Sequence, residues 1–329
     1  MDEFDFIEMI KQQTYKQNTV IKGVGDDAAV IQSPLNNIVT AVDTFVDNIH
    51  FSWEYLNGYQ IGYRALAANI SDIAAMGALP KYYLVSIVIP DSFNQNDLLD
   101  IFTGMKGLAS RYQMDLIGGD TVSGKELVIS ITIIGHVERD RIRYRSHACN
   151  GDIVFVTGTL GDSSAGLHIL KNKLNVKDKE YLIHRHRMPM PRVEFAQQLH
   201  GIKRVALNDV SDGIGNELQE IAHASNVDII IEDKCIPIHD SLYQFTDKEQ
   251  TRWKYFGGED FELVGTVNAE HWKVIKEISW KMNLKVSKIG EVTYKQATDP
   301  TVYLKKDQQT TRLEQLGYIH MSRRTNDET

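Results

Sequence analysis

Gln60-Ile61-Gly62-Tyr63-Arg64-Ala65-Leu66-Ala67-Ala68-Asn69-Ile70-Ser71-Asp72-Ile73-Ala74-Ala75-Met76-Gly77-Ala78-Leu79-Pro80 is the stretch from which the fold can be read. Alanine, isoleucine, leucine and methionine dominate it, so it reads as a buried helix from Gln60 to Met76, ended by Gly77 and Pro80. Asn69 and Asp72 lie three residues apart on that helix. An unpaired carboxylate on a buried helix is strongly disfavoured, so Asp72 must meet hydrogen-bond donors or cations. An ion pair, for example with Arg64, and ligation of a metal are the two solutions open to it.

Outward from this helix, strand-like runs fall at Ala28–Ile31, Ile38–Val42, Tyr82–Ile89 and Leu127–His136, with helical spacing at residues 2–13 and 97–112. The turn-rich segment His147-Ala148-Cys149-Asn150-Gly151-Asp152 marks a domain boundary. Beyond it, strands are expected at Ile153–Thr157, Val227–Glu232, Phe261–Val267 and Lys285–Ile289. Helices are expected from Ser163 and at Arg192–Leu199, Gly215–Ser225 and Ala269–Met282. Strands and helices mix without strict alternation, which predicts two α+β domains, residues 1–148 and 149–329, rather than one doubly wound sheet. The last residues, 322–329, read as a solvated tail.

The chain has 329 residues, enough for two ordinary domains, and its 42% hydrophobic and 24% charged content is that of a globular protein. A net charge of −8 offers nothing to counterion release, so nucleic acid is not an expected partner. Cys149 and Cys235 form no CxxC pair and read as reduced thiols. The start Met1-Asp2-Glu3-Phe4-Asp5 is acidic where a signal peptide is basic, and no apolar run approaches the ~20 residues that cross a bilayer. A cytoplasmic protein without membrane attachment is expected.

Two familiar phosphate motifs fail on inspection. Gly23-Val24-Gly25-Asp26-Asp27-Ala28 fits a loose GxGxxA pattern, but its aspartates would repel a pyrophosphate and a β-like run follows where a helix is needed. Gly119-Asp120-Thr121-Val122-Ser123-Gly124-Lys125-Glu126 lacks the final hydroxyl residue of a Walker A loop and also leads into a strand.

What remains is a series of carboxylates in glycine- or serine-containing turns. They are Gly25-Asp26-Asp27, Val42-Asp43-Thr44, Asn69-Ile70-Ser71-Asp72, Gly118-Gly119-Asp120-Thr121, Asn208-Asp209-Val210-Ser211-Asp212-Gly213 and Gly257-Gly258-Glu259-Asp260. Each alone is explained by local turn preference. If they converge, oxygen-only ligands point to Mg²⁺. Two bare carboxylates ~4 Å apart repel by about 4 kcal/mol at an effective dielectric of 20, so such a cluster requires cations. Hard cations bridging carboxylates to phosphate oxygens are what phosphoryl transfer needs.

In this order, and with His50-Phe51, Ala74-Ala75-Met76-Gly77-Ala78 and Phe261-Glu262-Leu263 beside them, the motifs resemble the thiamine-monophosphate kinase family of the aminoimidazole ribonucleotide synthetase-like ATP-binding superfamily. The resemblance runs from about residue 23 to 263, with an echo at Leu316-Gly317-Tyr318. It implies a homodimer built by an N-terminal α/β domain that binds ATP between subunits, a C-terminal α+β domain, and direct transfer from ATP to thiamine monophosphate. By matching position it implies Asp27, Asp43, Asp72, Asp120, Asp209 and Asp212 as magnesium ligands. It also implies Tyr112, Gly119, Asp120, Arg145 and Ser211 as ATP contacts, and His50, Glu259 and Tyr318 as contacts of the thiamine moiety. Ala41-Val42 depart from the family, which often carries a hydroxyl residue just before the second-motif aspartate. Other ATP-dependent enzymes of the superfamily, or a sensor that keeps only the fold, are the alternatives.

Overall fold

The structure, a computed structural model, describes residues 19–22, 26–33, 36–91, 93–296 and 298–313. The expected helix at residues 2–13, the tail and Tyr318 lie outside them.

Six strands form the first sheet: β1 (Val20–Lys22), β2 (Ala29–Gln32), β3 (Asn37–Val46), β4 (Leu79–Pro90), β5 (Asp115–Gly124) and β6 (Val128–Val137), in the order β1-β2-β3-β6-β4-β5. All pair antiparallel except β4 with β5. Side chains alternate across the sheet. On β6, Ile129, Ile131 and Ile133 are fully buried beneath helix α1 (Gly58–Ala75), while the residues between them lie on the other face. Helix α2 (Gln95–Arg111) packs on α1 at close range. A Cβ at Gly62 would stand 1.8 Å from the Ile101 carbonyl oxygen, and one at Gly104 1.9 Å from that of Tyr59. Asn57 starts α1 with a reciprocal capping box to Gln60.

The second sheet contains β7 (Asp152–Thr157), β8 (Val205–Asp209), β9 (Val227–Glu232), β10 (Leu263–Asn268), β11 (Val286–Tyr294), β12 (Val302–Lys306) and β13 (Gln309–Arg312), ordered β13-β12-β9-β11-β7-β10-β8. Helices α3 (Asp162–Asn172), α4 (Lys179–Arg187), α5 (Val193–Gln198), α6 (Ile214–Ser225), α7 (Asp247–Phe256) and α8 (Trp272–Lys281) are the remaining α-helices among the described residues. One apolar core runs from Ile131 of the first sheet through Phe195 of α5 to Phe155 and Leu263 of the second.

The fold is α+β, as expected, and the helix read from Gln60 to Met76 spans Gly58–Ala75. The turn expected at Gly118-Gly119-Asp120-Thr121 is instead the middle of β5. Leu84 to Ser86 of β4 pair with Gly118 to Asp120, so strand pairing overrides the local turn preference. Asp43 likewise lies within β3 and not in a turn. Strand β8, which delivers Asp209, and helices α4 and α7 had no apolar periodicity strong enough to announce them.

Candidate active site

Four segments far apart in the chain bring acids together. Asp27 precedes β2, Asp43 lies within β3, Asp72 sits in the last turn of α1 and Asp209 ends β8. Carboxylate oxygens of Asp27, Asp72 and Asp209 all lie within 4.8 Å of one another. Asp43 is close enough to act on the others: burial, and then the charge of Asp209, push its carboxyl up to about 6. Burial followed by repulsion from Asp43, Asp209 and Asp27 raises Asp72 well above the usual carboxylate range. Asn69 fixes the approach of α1 to β3, its Oδ1 accepting the Asp43 amide at 3.2 Å and its Nδ2 donating to the Ala65 carbonyl at 3.0 Å. Arg64 does not serve Asp72, because it pairs with Glu259.

Among the described residues, Arg145 is the buried cation that enters this group. Arg145 donates from Nη2 to Asp27 Oδ1 at 3.0 Å and from Nε to Asn208 Oδ1 at 3.1 Å. Its Nη2 also pairs with Glu220 Oε2 at 3.0 Å. Burial alone would lower this guanidinium's pKa, but Asp27, Glu220 and Asp26 together drive it upward. Glu217, on α6, is buried and raised well above the usual range by burial and by Glu220 and Asp209. Arg145 thus faces Asp26, Asp27, Asp72, Asp209, Glu217 and Glu220, with Lys22 helping it only at Asp26 among the described residues.

Buried Oδ2 atoms of Asp27 and Asp209 have no hydrogen-bond partner, and that of Asp26 meets Lys22 Nζ at 3.6 Å. Orphaned anionic oxygens in an oxygen-only set suit a hard cation such as Mg²⁺. The residues present therefore fit that ion.

The remaining predicted residues lie elsewhere or at the edge of this group. Asp212 follows on the loop after β8, where its amide donates to Glu217 Oε1 at 2.9 Å. Ser211 Oγ donates to the same carboxylate oxygen at 3.3 Å. Asp120 stands in register with Ser86, Ser130 and Thr44. Alternation places it on the sheet face opposite Asp43, and three strand spacings put it about 14 Å away. Within one chain, Asp120 and the neighbouring Gly119 do not join the cluster.

Tyr112 caps the C-terminus of α2 and donates to the Pro191 carbonyl at 3.2 Å. His50 accepts the Val46 amide at Nδ1, 3.1 Å, with its ring edge-on to Phe45. Glu259 is half-buried, and its amide donates to the Ser211 carbonyl at 2.6 Å, so its loop is zipped to the one after Asp209. Sequence reasoning missed Asn208, Glu217 and Glu220. The spacing of the two glutamates, one helical turn apart, was a readable sign of a shared face.

A second set of buried acids lies just past Glu259. Arg185 binds Glu262 Oε1 at 2.8 Å and Asp162 Oδ2 at 3.3 Å, and Arg192 forms a two-pronged pair with Glu262. Thr157 Oγ1 donates to Glu262 Oε2 at 2.6 Å. Burial would raise Glu262, yet Arg192 and Arg185 bring it below its usual value. Asp260 accepts the amides of Gly161 at 2.6 Å and Ser163 at 3.0 Å, and burial with the charge of Asp162 raises it to about 8.

Comparison with known proteins bears on this arrangement. Residues 25–137 match the model of the AIR synthase related protein N-terminal domain, and residues 150–302 that of the AIR synthase related protein C-terminal domain. Thiamine-monophosphate kinase of Bacillus subtilis (strain 168) is 45% identical over 326 residues, covering 97% of this chain and 99% of its own. The structure of AaThiL complexed with AMPPCP and TMP superposes with a TM-score of 0.82 at 28% identity, covering 97% of each chain. The crystal structure of thiamine-monophosphate kinase from Stenotrophomonas maltophilia K279a gives 0.76 at 31% identity, covering 93% of this chain and 96% of that one.

Proposed function

We propose, since the chain belongs to the thiamine-monophosphate kinase family, that it phosphorylates thiamine monophosphate to thiamine diphosphate by direct transfer from ATP. The observation that carries this reading is the meeting of Asp27, Asp43, Asp72 and Asp209 from four separate segments. Carboxylates crowded this closely, with more acids than Arg145 can balance, suit a site that is completed by Mg²⁺ and polyphosphate.

Asp27, Asp72 and Asp209, with Asp43 beside them, would hold the ions, and Asp212 would reach them from the loop after β8. Bound Mg²⁺ would neutralise the phosphate oxygens and align the γ-phosphate for in-line attack. The chain's own part is positional. Asn69 and the α1–β3 contact set the distance between Asp43 and Asp72. Glu217 holds the Ser211–Asp212 turn by accepting from both residues. Arg145, pinned between Asp27 and Glu220, opposes the burial that raises the Asp27 carboxyl and leaves a guanidinium beside the phosphate site. His50, Glu259 and Tyr318 are assigned to the thiamine moiety, and Tyr112 to the nucleotide base.

The enzyme is a homodimer in this reading, each chain made of an N-terminal domain, residues 1–148, and a C-terminal domain, residues 149–329. Along the edge strand β5, Leu116, Ile117 and Val122 are about half exposed, and Val42 on the outer sheet face is 60% exposed. An edge of that kind calls for a cover. Pairing through it would carry Gly119 and Asp120 to a partner's nucleotide, which accounts for their distance from the cluster in their own chain. No described helix is long and apolar enough to cross a membrane. A cytoplasmic location follows from the use of ATP.

The test is product analysis with ATP, Mg²⁺ and a panel containing thiamine monophosphate, unphosphorylated thiamine and other phosphomonoesters. Thiamine diphosphate and ADP from thiamine monophosphate alone is the expected result. Tight nucleotide binding without turnover would instead favour a sensor.

A further inference from the structure

Arg64 is an unusual resident of α1. It is 1% exposed on a helix whose buried residues are mostly small and aliphatic. Its Nη1 donates to the His186 carbonyl of α4, and its Nη2 forms an ion pair with Glu259. The partners differ in exposure: the arginine side chain is 1% exposed and the glutamate 32%. A carboxylate held from behind by a buried guanidinium keeps its outer surface for a ligand.

The backbone around Glu259 does not depend on that pair. Glu259 and Phe261 occupy left-handed conformations, at φ 66° and 49°, which side chains bearing a Cβ adopt only when their surroundings enforce them. The enforcement comes from elsewhere. The Glu259 amide bonds Ser211, the Phe261 amide bonds Val210 at 2.9 Å, and the Asp260 carboxyl bonds the amides that open α3. Arg64 touches only the side chain of Glu259, so its effect is to choose the carboxylate's orientation.

Resting on the reading that Glu259 meets the thiamine moiety, we propose that Arg64 is a positioning residue that aims the Glu259 carboxylate at the cationic acceptor and so sets affinity for the acceptor and not for ATP. Arginine suits the task because one guanidinium donates from Nη1 to the His186 carbonyl while its Nη2 sets a positive charge against the Glu259 carboxylate. The same helix carries Asp72 eight residues later, about 12 Å along its axis. Acceptor recognition and the acid cluster are thereby built on one rigid element.

The experiment measures KM for thiamine monophosphate and for ATP separately in wild type, Arg64→Met, Arg64→Lys, Glu259→Gln and the Arg64→Met/Glu259→Gln double variant. Arg64→Met is expected to raise the acceptor KM roughly tenfold or more, the size of one loosened charge-assisted contact, with the ATP KM unchanged. Arg64→Lys should fall between it and wild type, and the double variant should be no worse than Glu259→Gln. An equal rise in both KM values, or additive losses in the double variant, would overturn the proposal. If Arg64→Met does not fold, Arg64→Lys decides the matter. A rise confined to the acceptor KM supports the role, and an unchanged acceptor KM defeats it. Wild-type turnover of thiamine monophosphate, read first, tests the underlying function on its own.

Discussion

The acids gathered around Asp209 and those gathered around Glu262 are both withdrawn from water, yet the chain partners them in opposite ways. Glu262 and Asp162 receive two arginines and the hydroxyls of Thr157, Thr159 and Tyr181, and Glu262 titrates below its usual value. Asp27, Asp72 and Asp209 share Arg145 with Asp26, Glu217 and Glu220, and Asp27, Asp43, Asp72 and Asp209 all titrate above their usual value, chiefly through burial. The two sets adjoin, since the amides of Val210 and Phe261 bond the carbonyls of Glu262 and Val210. Burial is therefore common to both, and the supply of cations separates them. A set neutralised by its own chain holds the loop in place, whereas an under-neutralised set leaves room for cations from solution.

The contrast is sharpest at Asp72. Asp72→Asn is expected to cut kcat by about 10²–10³-fold, as for loss of one group that stabilises transferring charge. Removing one repelling carboxylate should at the same time leave the metal-free melting temperature unchanged or higher. Parallel loss of activity and stability would put Asp72 in the structural class with Glu262.

Arg185→Met should show the reverse pattern. It leaves Asp162 and Glu262 short of a buried partner, and denaturant titration is expected to find a loss of about 3–5 kcal/mol. A variant as stable as wild type would mean that the second set is not held by its arginines.

Added Mg²⁺ should separate the two sets again. Saturation to a hundred times Kd stabilises the folded protein by about 2.7 kcal/mol, seen as a rise in melting temperature. The rise should shrink in Asp72→Asn and persist in a variant of the Glu262 group that still folds. Equal shifts in both would place the ion elsewhere.

The last prediction is read as a slope with pH and concerns Asp260. Its carboxyl titrates at about 8 in the fold against ~3.9 in an unfolded chain, so the folded state holds its proton longer. The folded state binds more protons between those values, and stability from this group is full below pH ~4 and declines until pH has passed through about 8. The difference in melting temperature between wild type and Asp260→Asn, followed from pH 4 to 9, should carry that slope. A flat difference would show that Asp260 is ionised throughout.

Much of this was legible in the chain itself. Alanine-rich spacing from Gln60 to Met76 marked the buried helix, and a carboxylate at Asp72 within it demanded a partner whatever the fold. Oxygen-only motifs pointed to a hard cation and phosphate chemistry before any coordinate was known. Strand β5 was not legible, because Gly118-Gly119-Asp120-Thr121 has turn composition and becomes a strand only through pairing with β4. Nor could the chain show that Arg64 answers Glu259 and not Asp72, a choice made by how α1 packs against the second domain. Residue types and local spacing determine which groups must find partners, since desolvation cost belongs to the group. Which partner each finds depends on distances between segments scores to hundreds of residues apart, and those exist only once the two sheets have packed on their common core.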